Sequence, residues 1–130
     1  MSGANIRGLA EIVLNVHDLQ ASLAFYRDLL GLEVLGSPGP VFLRVGPGQA
    51  GIPQMLVLVP LPQGAAPFSA PRTLHHLALE VAPADFDAVL QALRAHGFNP
   101  RGGAHPVVAS RTLYIDDPDG NEVEIIAAAN

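Results

Sequence analysis

The chain has 130 residues, enough for one small domain, and 49% of them are hydrophobic, so it can bury a core of its own. A formal net charge of −5 with only seven lysines and arginines predicts no nucleic-acid partner, because phosphate binding needs clustered positive charge. Cysteine is absent, which excludes disulfides, thiolate zinc sites and thiol nucleophiles. A metal site would therefore use oxygen and imidazole nitrogen as ligands.

The N-terminal residues MSGANIRG lack an apolar core of signal-peptide length, and no apolar run reaches the length of a membrane span. We therefore expect a cytoplasmic protein with no membrane partner.

The first predicted elements are a strand and a helix. Residues Glu11–Val16 alternate, with every even-numbered side chain apolar, as in a strand that buries one face. Asp18 is suited to cap the helix that follows, and Gly31 is suited to end it, because glycine tolerates the left-handed backbone of a helix C-terminus. Alternating apolar residues then predict three further strands, at Leu32–Leu35, Val41–Val45 and Gln54–Val59.

The second half of the chain repeats this order. A proline-rich segment, PLPQGAAPFSAP, separates the halves and is predicted to be a semi-rigid linker. A strand at residues 76–81 has alternate apolar side chains, and a helix is predicted from Pro83 to just before Gly97. The sequence DPDG at residues 117–120 is typical of a turn. It joins two predicted strands, Arg111–Ile115 and Glu122–Ala127.

The two halves match position by position. Glu11 and His76 open equivalent strands and lie half a chain length apart, and Gly31 and Gly97 close equivalent helices at nearly the same separation. Such internal repetition indicates two copies of one supersecondary unit. Equivalent positions therefore carry a carboxylate and an imidazole, which are both common metal ligands.

Three segments resemble the vicinal oxygen chelate superfamily, which includes glyoxalase I, the fosfomycin- and bleomycin-resistance proteins and the extradiol dioxygenases. These segments are EIVLNVHDLQASLAFYRDLLGLEVL, LHHLALEV and YIDDPDGNEVEI. The resemblance covers almost the whole chain. It implies an α+β glyoxalase-like fold in which two βαβββ modules form a cupped mixed sheet. The single domain would span residues 1–130, with modules at about 8–62 and 72–128, and would act as a homodimer.

The resemblance also implies a divalent metal ion held by the first and last strands of each module. Carried over by position, the ligands fall on Glu11 and His76 in the first strands, and on Glu124 in the last strand of the second module. The last strand of the first module offers Gln54 near the equivalent position. Glu124 and Glu11 are also the candidate catalytic bases, since a carboxylate beside the ion can move a proton.

This ligand set is rich in oxygen. The family usually has histidine or glutamine where this chain has Glu11, so one imidazole is missing. Such a set suits Mn²⁺, Mg²⁺, Ni²⁺ or Zn²⁺. It disfavours iron, whose dioxygenase chemistry uses two histidines and one carboxylate.

The predicted function is a metal-dependent glyoxalase-like enzyme of the isomerase or lyase type. Its small oxygenated substrate would be chelated to the ion, which stabilises developing negative charge. Two alternatives stay open, namely a metal-free protein that binds a small molecule or drug, as in bleomycin resistance, and an extradiol dioxygenase.

Several further residues are candidates for supporting roles. His75 has the opposite parity to His76 in a strand, so it is expected to point away from the site. Glu80 and Glu122 share the face of His76 and Glu124 and could contact ligands or substrate. Three other side chains are candidates to hold an anionic or aromatic substrate: Arg44, Arg111 and Tyr114.

Overall fold

The computed structural model describes residues 3–129, which fall into two compact units that meet in the sequence between Ala66 and Pro67. Each unit contains a strand, a helical segment and three further strands, as the repeat predicts. The strands of the first unit are β1 Glu11–Val16, β2 Glu33–Gly36, β3 Val41–Gly46 and β4 Gln54–Pro60. Those of the second are β5 His76–Glu80, β6 Arg101–Gly103, β7 Ser110–Asp116 and β8 Glu122–Ala128.

Each unit forms one four-stranded mixed sheet. The strand order is β1-β4-β3-β2 in the first unit and β5-β8-β7-β6 in the second. In both sheets the first and last strands pair in parallel and the other pairs are antiparallel. The predicted α+β class with mixed sheets is confirmed.

The helical segment of the first unit departs from the predicted continuous α-helix. Helix α1, Leu19–Leu23, is capped by Asp18, whose Oδ1 accepts a 3.0 Å hydrogen bond from the Ala21 N–H. The next turns are π-helical, over Ala24–Leu29, and the Leu30 N–H bonds to the Phe25 carbonyl five residues back. Phe25 and its neighbour Tyr26 are both buried in these turns, as an edge-to-face pair 4.8 Å apart.

The helical segment of the second unit begins with a 3₁₀ turn at Pro83–Asp85 and continues as α2, Phe86–Ala95. Gly97 follows with a positive φ of 86°, as Gly31 does after the first helical segment with 79°. Both glycines therefore end their helices in the left-handed conformation that the sequence predicts.

The turn between β7 and β8 is also confirmed. Asp117 accepts hydrogen bonds at Oδ1 from the backbone N–H groups of Asp119 (2.9 Å) and Asn121 (2.8 Å), and Gly120 has a φ of 78°. This turn fixes where β8 begins, and hence which of its side chains share a face.

The apolar faces of the sheets form the cores. In the first unit the buried core includes Leu14, Val16, Leu23, Tyr26, Leu43, Leu56 and Leu58. In the second it includes Leu77, Phe86, Leu93, Leu113, Ile115, Val123 and Ile125. Within residues 3–129, no helix combines the length and apolar character needed to cross a bilayer.

Candidate metal site

The register of the second sheet brings several of its polar side chains to one face. His76 is paired with Glu122, and Glu124 lies between Ala78 of β5 and Tyr114 of β7. Because paired residues point to the same side of a sheet, His76, Glu122, Glu124 and Tyr114 share a face. The apolar residues that alternate with them, such as Val123, are in the core on the other face.

His76 and Glu124 are in direct contact on this face. The Nε2 atom of His76 lies 3.2 Å from Oε1 of Glu124. Glu124 is only 2% exposed, and its second oxygen, Oε2, is buried without a hydrogen-bond partner among residues 3–129. Burying a carboxylate oxygen without a partner is costly, so this atom calls for a cation. A carboxylate and an imidazole at this separation fit a divalent ion.

The expectation that His75 points away from His76 is wrong. Its Nδ1 lies 2.8 Å from Nδ1 of His76, and the two rings meet edge to face with centroids 5.0 Å apart. Strand parity applies only inside a strand, and β5 begins at His76, so the backbone before it is free to turn His75 back. One ligand atom from each of His75, His76 and Glu122 lies within 4.8 Å of the others, a grouping that can also hold a metal ion.

Arg101 lies at the exposed end of this face. No sequence pattern predicts this position for Arg101, because its strand, β6, is too short to show alternation. Its Nη2 donates to Asp116 Oδ1 at 2.9 Å and to Glu122 Oε2 at 3.2 Å. The hydrogen bond to Asp116 is the main reason that the pKa of Arg101 is raised; desolvation opposes the shift, and Glu122 adds to it. Glu122 is therefore already paired with a cation, whereas Glu124 is not.

Tyr114 lies against Gly103 and next to His76. Its ring centroid is 6.1 Å from that of His76. A Cβ atom built on Gly103 would stand 2.6 Å from Cε2 of Tyr114 and 3.3 Å from Oγ1 of Thr112. The absence of a side chain at residue 103 therefore gives the Tyr114 ring its place.

We expect Gly103→Ala to displace the Tyr114 ring and to destabilise the protein by about 1–3 kcal/mol, as overpacking does. Thermal unfolding measures the loss, and near-ultraviolet circular dichroism reports the ring. Gly102→Ala is the matched control, because a Cβ at Gly102 meets nothing within 4 Å. Equal behaviour of the two variants would contradict the packing described here.

Arg111 lies on the opposite side of the sheet. It alternates with Tyr114 in β7, donates to Asp87 Oδ1 at 2.8 Å and stacks on the Phe86 ring with 4.3 Å to the centroid. The hydrogen bond from Arg111 lowers the pKa of Asp87. Arg111 thus joins β7 to the helix, and Tyr114 is the substrate-contact candidate that shares the face of His76.

In the first unit, Glu11 stands in a row that crosses the whole sheet. Register pairs Glu11 with Met55, Met55 with Arg44, and Arg44 with Glu33. Glu11 and Arg44 are exposed. Arg44 therefore shares a face with Glu11, two strands away. Its role as a substrate contact stays a prediction.

Gln54 alternates with Met55 in β4 and so does not share the row of Glu11. It borders a cavity of about 300 Å³ with Ile6, Leu9 and Ile52. The position that corresponds to Glu124 is Val57, because Val57 pairs with the third residue of β1 as Glu124 pairs with the third residue of β5. The ligand roles of Glu11 and Gln54 stay predictions.

Comparison with known proteins supplies the family. Residues 8–125 match the model of the glyoxalase/bleomycin resistance protein/dioxygenase superfamily. The chain is 30% identical over 129 residues to a lactoylglutathione lyase of Salmonella typhimurium, with 92% of each chain covered.

Two solved structures share the fold and more than a quarter of the sequence. A glyoxalase/dioxygenase from Nostoc punctiforme has a TM-score of 0.79 and 27% identity, over 100% of this chain and 97% of that one. A lactoylglutathione lyase from Agrobacterium tumefaciens has a TM-score of 0.68 and 27% identity, over 95% and 96%. The family model alone spans most of the chain. The protein therefore belongs to the glyoxalase/bleomycin resistance protein/dioxygenase superfamily.

Proposed function

We propose that this chain is a metal-dependent enzyme of the glyoxalase type, which acts on a small oxygenated substrate as a lyase or isomerase. The observation that carries the proposal is the Glu124 carboxylate, buried to 2% exposure with one oxygen beside His76 and the other unpaired. A bound cation would offset the cost of burying this carboxylate oxygen without a partner. The match to the superfamily also supports the proposal.

His76 and Glu124 are the two ligands that the second unit supplies under this proposal. Glu11 is the ligand predicted from the first unit. Gln54, the weaker prediction, alternates with the partner of Glu11 and so points to the other side of the sheet. One imidazole with carboxylates favours Mn²⁺, Mg²⁺, Ni²⁺ or Zn²⁺ over iron. When bound, the ion supplies positive charge that stabilises negative charge developing on substrate oxygens.

The side chains of the second unit would perform the remaining work. Glu124 would act as the base through whichever carboxylate oxygen does not bind the ion, taking a proton from a substrate carbon and returning it elsewhere. Tyr114, whose ring is 6.1 Å from that of His76, offers an apolar surface and a hydroxyl to orient the substrate. Arg101 forms ion pairs with Glu122 and Asp116, so these two carboxylates would bind the ion less readily than Glu124.

For the substrate, the names of the relatives give the most direct test, since two of those described above are called lactoylglutathione lyases. In D₂O, we expect protein stripped of metal with a chelator to leave the C–H bond beside the hydroxyl of lactoylglutathione intact, and addition of Ni²⁺, Mn²⁺ or Zn²⁺ to start turnover, seen as exchange of that hydrogen for deuterium. Proton NMR of the lactoyl group measures the exchange, and heat-denatured protein with the same ion is the control.

Two outcomes would contradict parts of this proposal. Equal turnover with and without metal would contradict the role of the ion. Tight binding of lactoylglutathione by metal-free protein, with no turnover under any ion, would favour the small-molecule-binding alternative.

A further inference from the structure

Both ring nitrogens of His76 face a partner. Nε2 lies 3.2 Å from Oε1 of Glu124, and Nδ1 lies 2.8 Å from Nδ1 of His75. A neutral imidazole has one N–H donor and one bare acceptor nitrogen. The hydrogen of His76 can therefore serve only one of these two partners at a time.

The contact between the two Nδ1 atoms has only two neutral solutions. In the first, His75 carries its hydrogen on Nδ1 and donates to His76, whose own hydrogen is on Nε2 and is donated to Glu124. In the second, His76 carries its hydrogen on Nδ1 and donates to His75, whose hydrogen is then on its Nε2. Each ring keeps one hydrogen in both states, so they differ only in where it sits.

Only the second state leaves a lone pair on Nε2 of His76, the nitrogen that faces Glu124. The hydrogen bond that one ring nitrogen makes sets whether the other is free to bind a metal ion. A partner that is only a donor would oppose this state, and a partner that is only an acceptor would oppose the first. His75 can be either, and it is exposed, so its own ring can exchange hydrogens with water.

We propose that His75 is a positioning residue that selects the ligating tautomer of His76, and that its hydrogen bond to His76 reverses direction when a divalent ion binds. This inference rests on the proposed function, because it requires an ion at Nε2 of His76. It gives His75 a role in metal binding, although strand parity predicts that His75 points away from the site.

The hydrogens are directly observable by nitrogen-15 NMR of the imidazole rings, because the chain has only five histidines and two serve as internal references. Nδ1 of His105 accepts from the backbone N–H groups of Val107 and Val108, so its hydrogen must be on Nε2. Nδ1 of His96 faces the Ala92 carbonyl at 2.8 Å, so its hydrogen must be on Nδ1.

We expect His76 to resemble His105 in the metal-free protein and His96 after one equivalent of Zn²⁺, with His75 changing in the opposite sense. A His76 ring that keeps one tautomer in both samples, although zinc is bound at it, would overturn the reversal.

Substitution tests the energetic consequence. Removing a hydrogen-bond partner of a metal-ligating histidine typically weakens metal affinity by about 10–100-fold, and we expect His75→Ala to lower Zn²⁺ affinity by this factor in calorimetric titration. His75→Asn should retain most of the affinity, because its amide places a donor or an acceptor near the position of Nδ1. His105→Ala, at a distant loop position in the sequence, is the control for loss of a histidine.

The outcomes separate this inference from the proposed function. Unchanged affinity in His75→Ala would overturn the inference alone. If His75→Ala instead loses one bound ion per chain and holds the remaining ion as tightly as before, then His75, His76 and Glu122 hold an ion of their own. That result would also overturn the inference. Wild-type protein that binds no divalent ion would overturn both.

Discussion

Replacing Glu124 with glutamine is expected to abolish retention of a divalent ion while leaving the metal-free protein at least as stable as the wild type. Glutamine keeps the shape of the side chain but removes the charge, and the amide oxygen can still accept from His76. The buried oxygen without a partner is a liability to the metal-free fold, so its neutralisation should stabilise that state by on the order of 1 kcal/mol. Metal affinity should fall by more than about 100-fold, beyond the loss typical of an indirect partner.

Elemental analysis after dialysis measures the first effect, and chemical denaturation of chelator-treated protein measures the second. Glu80→Gln is the matched control, because Glu80 lies on the same face of β5 as His76 but is exposed. It should keep the ion. A Glu124→Gln protein that retains its ion, or one that is strongly destabilised without it, would show that Glu124 serves the fold and not a cation.

The second large effect is stabilisation of the wild-type protein by an added ion. An ion that binds only the folded state, at about 100 times its Kd, stabilises that state by about 2.7 kcal/mol. For a chain of this length this raises Tm by about 10 °C. His76→Ala should lose this response, because it removes the imidazole that faces Glu124.

Thermal scans of metal-free protein with increasing Ni²⁺, Mn²⁺, Zn²⁺ and Mg²⁺ provide the measurement. His96→Ala is the control, since His96 lies at the end of α2 and bonds to the backbone carbonyl of Ala92. It should respond to the ion as the wild type does. If no ion shifts the Tm of the wild type, or if His76→Ala shifts equally, the metal-dependent function does not hold.

Most of the fold could be predicted because its signals are local. The alternation in Glu11–Val16 and the DPDG turn at residues 117–120 each depend on neighbouring residues alone, and both appear in the structure where the sequence places them. The π-helical turns at Ala24–Leu29 could not be predicted, because the apolar spacing of this segment fits an ordinary α-helix equally well. Strand β6 was not located, because three residues carry no period.

The residue types of the candidate site could be predicted from the sequence, but the burial of Glu124 and the position of His75 could not. Parity correctly placed His76, Glu122 and Glu124 on one face. Burial of Glu124 depends on what covers that face, which is a property of the whole fold and not of its own strand. The prediction for His75 is wrong because β5 begins one residue after it, so strand parity does not apply to His75.

Val57 and Glu124 occupy matching register positions and show how the two copies of the repeated unit differ. Both side chains are 2% exposed at matching points of sister sheets, yet one is aliphatic and the other acidic. Matching positions of the two sheets therefore share the same burial, but only the position in the second sheet carries a carboxylate, 3.2 Å from the imidazole of His76. A substitution at Val57 is therefore expected to act through packing alone, whereas a substitution at Glu124 also changes a buried charge.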